Sequence, residues 1–212
     1  MGLRARALAA AEPLLRRRCG GRAARRRQSR RCRRSTARRP RSRGVRGYIV
    51  RRATPADASD LVELGRAVSS EPEAWLITEG DWRNVGDERR YLRAVRRSPH
   101  AAVFVAENDA GIVGRLSLAR DSHPASHHVA DLGLMVAAGH RRQGIGRSML
   151  EQAVEWARES EIEKLELHVF PHNEPAIKLY EQFGFEREGL RRDHFRRGGR
   201  LVDAVLMAYR VA

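Results

Sequence analysis

The residues best suited to chemistry lie between positions 129 and 150, in the string VADLGLMVAAGHRRQGIGRSML. An apolar run ends at Val136, a short basic loop passes through Gly144 and Gly146, and a helical pattern follows at once. A strand, a glycine-bearing turn and a helix start in that order expose four unbonded backbone N–H groups and the positive end of a helix dipole. Such a place takes an anion, and phosphate is the usual one. Glycine at 144 and 146 carries no Cβ to hold a phosphate off the backbone. The first expectation is a phosphate-bearing ligand held by main-chain N–H groups of residues 142–147.

Three phosphate loops compete for this string. The Walker A pattern GxxxxGK[ST] does not occur in the chain. The dinucleotide fingerprint puts a small third residue where helix packs on strand, and here that position is Met149. The remaining type, Arg/Gln-x-x-Gly-x-Gly/Ala, is filled by Arg141, Arg142, Gln143, Gly144, Ile145 and Gly146. It resembles the acetyl-CoA pyrophosphate loop of the GNAT N-acetyltransferase superfamily. A second string follows at the spacing that family shows: Asn173 to Phe185, reading NxxAxxxYxxxGF, after the alternating run at 165–170. The resemblance covers residues 48–212. Within the family, HVADLG at 128–133 and the ending RRGGRLVDAVLM resemble the branch acting on L-amino acids or small amines. Residues 71–97, where acceptor choice would lie, match nothing in that branch.

These residues need elements to hold them. Residues 48–52 read as a strand. Thr54, Pro55 and Asp57 form an N-cap, a proline at N1 and an acid at N3, opening a helix to about Ser70. Residues 71–86 read as loop and helix fragments, and 87–97 as a helix. Strands at 102–106 and 112–118 flank Asn108-Asp-Ala-Gly111, a hairpin signal. A strand at 128–136 leads into the loop and a helix at 144–160. A strand at 164–170, a helix at 174–183 and a last hairpin of 185–195 with 200–209 complete the pattern. The expectation is a mixed α/β fold with helices on both faces. The resemblance makes the sheet GNAT-like and mostly antiparallel.

Acetyl transfer to an amine requires a fixed donor, a deprotonated amine, stabilised oxyanion charge and a proton for the leaving thiolate. The resemblance implies that the strand ending at Val136 splays from its neighbour at 165–170. The pantetheine arm then lies in the gap against backbone near Leu134 and Val136, with a backbone N–H there as oxyanion donor. It implies cofactor contacts at Leu134, Val136, Arg141, Arg142, Gln143, Gly144, Ile145, Gly146, Arg147, Asn173 and Tyr180. Tyr180 matches the family's general acid, and a phenol of reference pKa ~10 suits a thiolate; the competing reading is a core tyrosine against Phe183 and Phe185. Asn173 is also a good helix N-cap before Glu174 and Pro175. Asp131 stands where many relatives carry a carboxylate acting through water, and reads equally as an exposed strand residue; His127, His128 and His168 compete with it as base. The histidine spacings complete no zinc site, so no metal is expected. The arginine pairs 191–192 and 196–197 read as a solvated hairpin face.

The formal charge of +16 divides unevenly. Residues 1–46 hold 18 arginines and one acid, Glu12, a surplus of 17. Residues 47–212 hold the other 24 basic and 25 acidic side chains, a net −1. Nucleic acid would therefore be bound through the tail if at all. The tail carries little aliphatic content after Leu15, and disorder is expected. It reads as a targeting peptide, as a nucleic-acid or membrane-surface arm, or as an over-long start. Its segment 3–15 is interrupted by Arg4, Arg6 and Glu12, so no membrane span is expected, and a cytoplasmic protein is. The division is a tail at 1–46 and an N-acetyltransferase domain at 47–212. Both cysteines, Cys19 and Cys32, lie in the tail, so the domain offers no cysteine acyl-enzyme and transfer should be direct. The expected partners are acetyl-CoA and a small-molecule amine, and the fold is compatible with a homodimer. The open alternatives are a protein N-terminal or lysine acetyltransferase, or a non-catalytic acyl-CoA-binding domain with a nucleic-acid-binding tail.

Overall fold

A computed structural model describes residues 47–77 and 82–211. The disorder expected of residues 1–46 falls outside them. Strand β1 (Tyr48–Arg52) ends beside Thr54, whose backbone N–H and hydroxyl both donate to the Asp57 carboxylate, at 2.6 and 3.1 Å. This is the expected capping box. The first turn, Pro55–Asp57, is a 3-10 turn, and α1 (Ala58–Ser69) continues from it. Helix α2 (Val85–Arg97) starts two residues before the sequence-based boundary because Asn84 caps it, accepting from the Asp87 N–H at 2.9 Å.

Strands β2 (Ala101–Asn108) and β3 (Gly111–Arg120) form the expected hairpin. Strand β4 (Val129–Val136) precedes α3 (Ile145–Glu159). Strand β5 (Lys164–Val169), α4 (Glu174–Phe183) and the long hairpin β6 (Glu186–Arg197) with β7 (Arg200–Arg210) complete the chain. The seven strands form one sheet in the order β1-β2-β3-β4-β5-β7-β6. Only β4 and β5 pair in parallel.

The strand period of two sends alternate side chains to opposite faces. Phe104, Leu116, Leu132 and Leu165 face Met149, Leu150 and Trp156 of α3 and Ile177 of α4. Val103 and Val105 face Leu61 of α1 and Leu92 and Val95 of α2. Helices therefore cover both faces, as expected. A buried ion pair fixes α2 to the sheet: Arg115 on β3 reaches Glu88, which is 0% exposed, at 2.9 Å, and donates to Ser117 at 3.0 Å.

One irregularity shapes the site. β4 pairs with β5 only from Val129↔Lys164 to Asp131↔Glu166. Beyond that rung β4 stays on β3 as far as Gly114↔Val136, and β5 stays on β7 as far as Val169↔Val205. The two strands part company, and a gap opens between residues 132–136 and 167–169.

Candidate active site

The backbone of β4 decides what lines the gap. Asp121 N donates to Val129 O, and Ala137 N donates to Val113 O, both at 2.9 Å. Odd-numbered residues of β4 therefore bond to β3, and in an antiparallel ladder the even ones point their N–H and C=O away. Those of Leu132, Leu134 and Val136 face the gap. Arg141 Nε reaches the Val136 carbonyl there at 3.0 Å.

The loop after β4 is bent by two left-handed residues, Arg142 at φ +62° and Gly144 at φ +81°. A side chain at position 144 would add about 1–2 kcal/mol of strain. Gly144 caps α3 without a side-chain hydrogen bond, leaving the first helical N–H groups and the dipole's positive end to an incoming anion. Gly146 has a further reason to lack a side chain. A Cβ there would lie 2.8 Å from Leu179 Cδ2, so glycine lets α3 approach α4. Ile145 is buried and anchors the helix start in the core. Arg147 lies over the Phe183 ring at 5.8 Å, and Gln143 donates to the Gly139 carbonyl at 3.2 Å.

A cavity of about 520 Å³ lies between this loop, the end of β4 and α4. Leu134, Val136, Arg141, Arg142, Gly144, Ile145, Gly146, Arg147, Asn173 and Tyr180 line it, whereas Gln143 and Asp131 do not. Asn173 caps α4, accepting from the Ala176 N–H at 3.3 Å, which fits its local reading. Tyr180 is 6% exposed and sits 5.6 Å from Phe185, centroid to centroid. Burial pushes its phenol well above the ordinary tyrosine value, so it is protonated at neutral pH. It is both a core tyrosine and a cavity tyrosine.

Asp131 occupies the last rung that β4 shares with β5, opposite Glu166, at the closed end of the gap. His127 and His128 precede β4, at the end away from the loop. His168 lies beyond the last rung on β5, its ring stacked on His194 at 5.4 Å. Burial, with Arg191 nearby, holds His194 below the usual imidazole value.

The far wall of the cavity is built by residues 71–77, part of the stretch where acceptor choice was expected to lie but in which no site residue was singled out. Trp75 and Leu76 line the cavity. His172 Nε2 contacts the Glu73 carbonyl oxygen at 3.2 Å and stacks on Trp75 at 6.1 Å. Arg197 donates to the Leu76 carbonyl and lies 5.9 Å over Phe170. The expectation of a solvated arginine face is thus corrected for Arg197: the hairpin curls its last residue back onto the site. Glu71 holds Arg141, whose Nη2 donates to both carboxylate oxygens at 2.6 and 2.7 Å. The Arg141 side chain is committed within the protein, leaving its backbone to the loop.

Residues 69–185 match the profile of the Acetyltransferase (GNAT) family. The chain belongs to that family. It is 37% identical over 114 residues to the L-amino acid N-acetyltransferase AaaT of Escherichia coli (strain K12), covering 52% of this chain and 68% of that protein. It is 32% identical over 128 residues to the N-alpha-acetyltransferase RimI of Mycobacterium tuberculosis (strain ATCC 25618 / H37Rv), covering 58% and 77%. The fold is shared with yncA of Salmonella typhimurium, solved with its cofactor acetyl-CoA: TM-score 0.70 and 20% identity, over 78% of this chain and 94% of that one.

This GNAT enzyme is thus an acyl-CoA-dependent N-acyltransferase. Its own geometry fits the donor on three counts: an anion-ready helix start, a gap with main-chain groups aimed into it, and a buried phenol beside it. Among the described residues no three or more His, Cys, Asp or Glu are grouped to hold a metal. No described helix is long and apolar enough to cross a membrane.

Proposed function

We propose that the enzyme moves an acetyl group from acetyl-CoA directly to the amine of an amino acid or another small amine. The observation that carries this reading is the early end of β4–β5 pairing, beside the uncapped start of α3. The likeness to the amino-acid acetyltransferase AaaT supports the acceptor class. Acetyl-CoA, when bound, supplies an activated thioester. Residues 142–147 hold its phosphates by N–H groups, with Arg142 and Arg147 adding charge and Gln143 continuing the turn. The N–H groups of Leu134 and Val136 bond the pantetheine arm, and one of them meets the thioester oxygen as charge develops. Asn173 closes the far side.

Tyr180 donates a proton to the departing sulfur. Its burial weakens the phenol as an acid, and the same burial disfavours the departing thiolate and so raises its demand for the proton. Asp131 receives the amine proton through a water, because it stands one rung short of the gap.

The test is titration of acetyl-CoA into the full-length protein, followed by thiol release with amino acids, polyamines and peptides. Binding with release for amino acids supports the reading. Release with peptides alone would move the enzyme to protein acceptors, as the likeness to RimI allows. Absence of binding would overturn the assignment of the loop.

A further inference from the structure

The ion pair between Arg141 and Glu71 adds a polar link between two parts of the site that otherwise meet through the packing of Leu76 on the cluster of Leu64, Val68 and Met135. Arg141 belongs to the cofactor loop, and its Nε is fixed to the end of β4 at the Val136 carbonyl, 3.0 Å away. Glu71 begins the segment that carries Trp75 and Leu76 into the cavity wall. Its side chain is only 14% exposed, and it takes both bonds from one Arg141 nitrogen. Charge-assisted bonds of this length in a half-buried setting are among the stronger polar contacts a protein makes.

We propose that Glu71 is a positioning residue that couples the donor and acceptor sides of the site. This rests on the acetyl-CoA reading of the loop. Arg142, next to Arg141, sits at φ +62°, a conformation that side-chain-bearing residues rarely adopt. An anion bound to the loop N–H groups favours that bend, and the bend places the Arg141 guanidinium against Glu71. Ordering then passes to the segment 71–77, whose other contacts include His172 and Arg197, from elements outside the loop, and the packing of Leu76 on Leu64, Val68 and Met135. Linkage is reciprocal: an acceptor that orders the segment tightens the loop on its phosphates by the same factor.

The experiment is hydrogen exchange on the full-length protein with and without CoA as probe, for the wild type, Glu71→Gln, Glu71→Asp and His172→Ala. In the wild type, CoA should slow exchange in residues 137–147 and, by about 5- to 10-fold, in 71–77. Glu71→Gln should keep the first effect and lose the second, with Glu71→Asp restoring part of it. His172→Ala should speed exchange in the segment with and without CoA while preserving the ratio. Protection of the segment that is absent in the wild type, or unchanged in Glu71→Gln, overturns the coupling. CoA protection of neither region would instead overturn the cofactor reading itself, so the two failures are distinct.

Discussion

Tyr180 is the side chain in which packing and chemistry meet most directly. Its ring fills the core beside Phe185, and it also lines the cavity, so Tyr180→Phe removes the hydroxyl we propose as proton donor while keeping the shape. We expect kcat to fall by about 10²- to 10⁴-fold with acetyl-CoA affinity unchanged, measured by thiol release and by titration. Asp57 makes a different residue-scale prediction. Burial pushes its carboxyl up, but the bonds from Arg51 and Thr54 outweigh this and hold it below the usual carboxylate range. A folded pKa below the unfolded one contributes stability above the unfolded value of about 3.9 and loses it as pH falls through the folded value. Asp57→Asn should therefore lower Tm at pH 7, and the difference from the wild type should shrink as pH falls below about 4.

At the scale of elements, a buried charge pair joins the packing of Leu92 and Val95 in holding α2 to the sheet. Glu88 is fully buried against Arg115, whose guanidinium also lies over the rings of Trp82 and Tyr91, at 5.6 and 5.7 Å. Removing one partner strands the other charge, so Glu88→Ala should cost about 3–5 kcal/mol in denaturant unfolding. Glu88→Leu with Arg115→Met should recover much of that loss, because an apolar pair of similar volume avoids the desolvation penalty. The contact between α3 and α4 is gentler. Gly146→Ala pushes against the flexible end of Leu179, and a small loss of acetyl-CoA affinity is expected, whereas Gly144→Ala strains the backbone and should weaken binding more.

At the scale of the whole molecule, three buried clusters lie within the described residues, on both faces of a single sheet. We propose that residues 47–212 are the acetyltransferase domain. A truncated chain beginning at Val45 should match the full-length protein in Tm and in acetyl-CoA affinity. Loss of folding would show that the tail is structural. Salt-sensitive DNA binding by the full-length protein alone would assign it a separate role.

The order of elements was legible in the sequence because each carries its own local signal. Thr54 and Asp57 cap a helix, Asn108 to Gly111 turn a hairpin, and alternating apolar residues mark strands with two distinct faces. The turn after β4 was equally legible, since a glycine between an apolar run and a helical pattern marks where the strand ends and the helix begins. The end of β4–β5 pairing after Asp131, implied by family resemblance alone, was not written in either strand, because pairing depends on what the far strand can reach. The commitment of Arg141 to Glu71, 70 residues away in sequence, and the return of Arg197 to Leu76, 121 residues away, belong to tertiary structure for the same reason. Local periodicity fixes which face a residue occupies; only the folded chain fixes what it meets there.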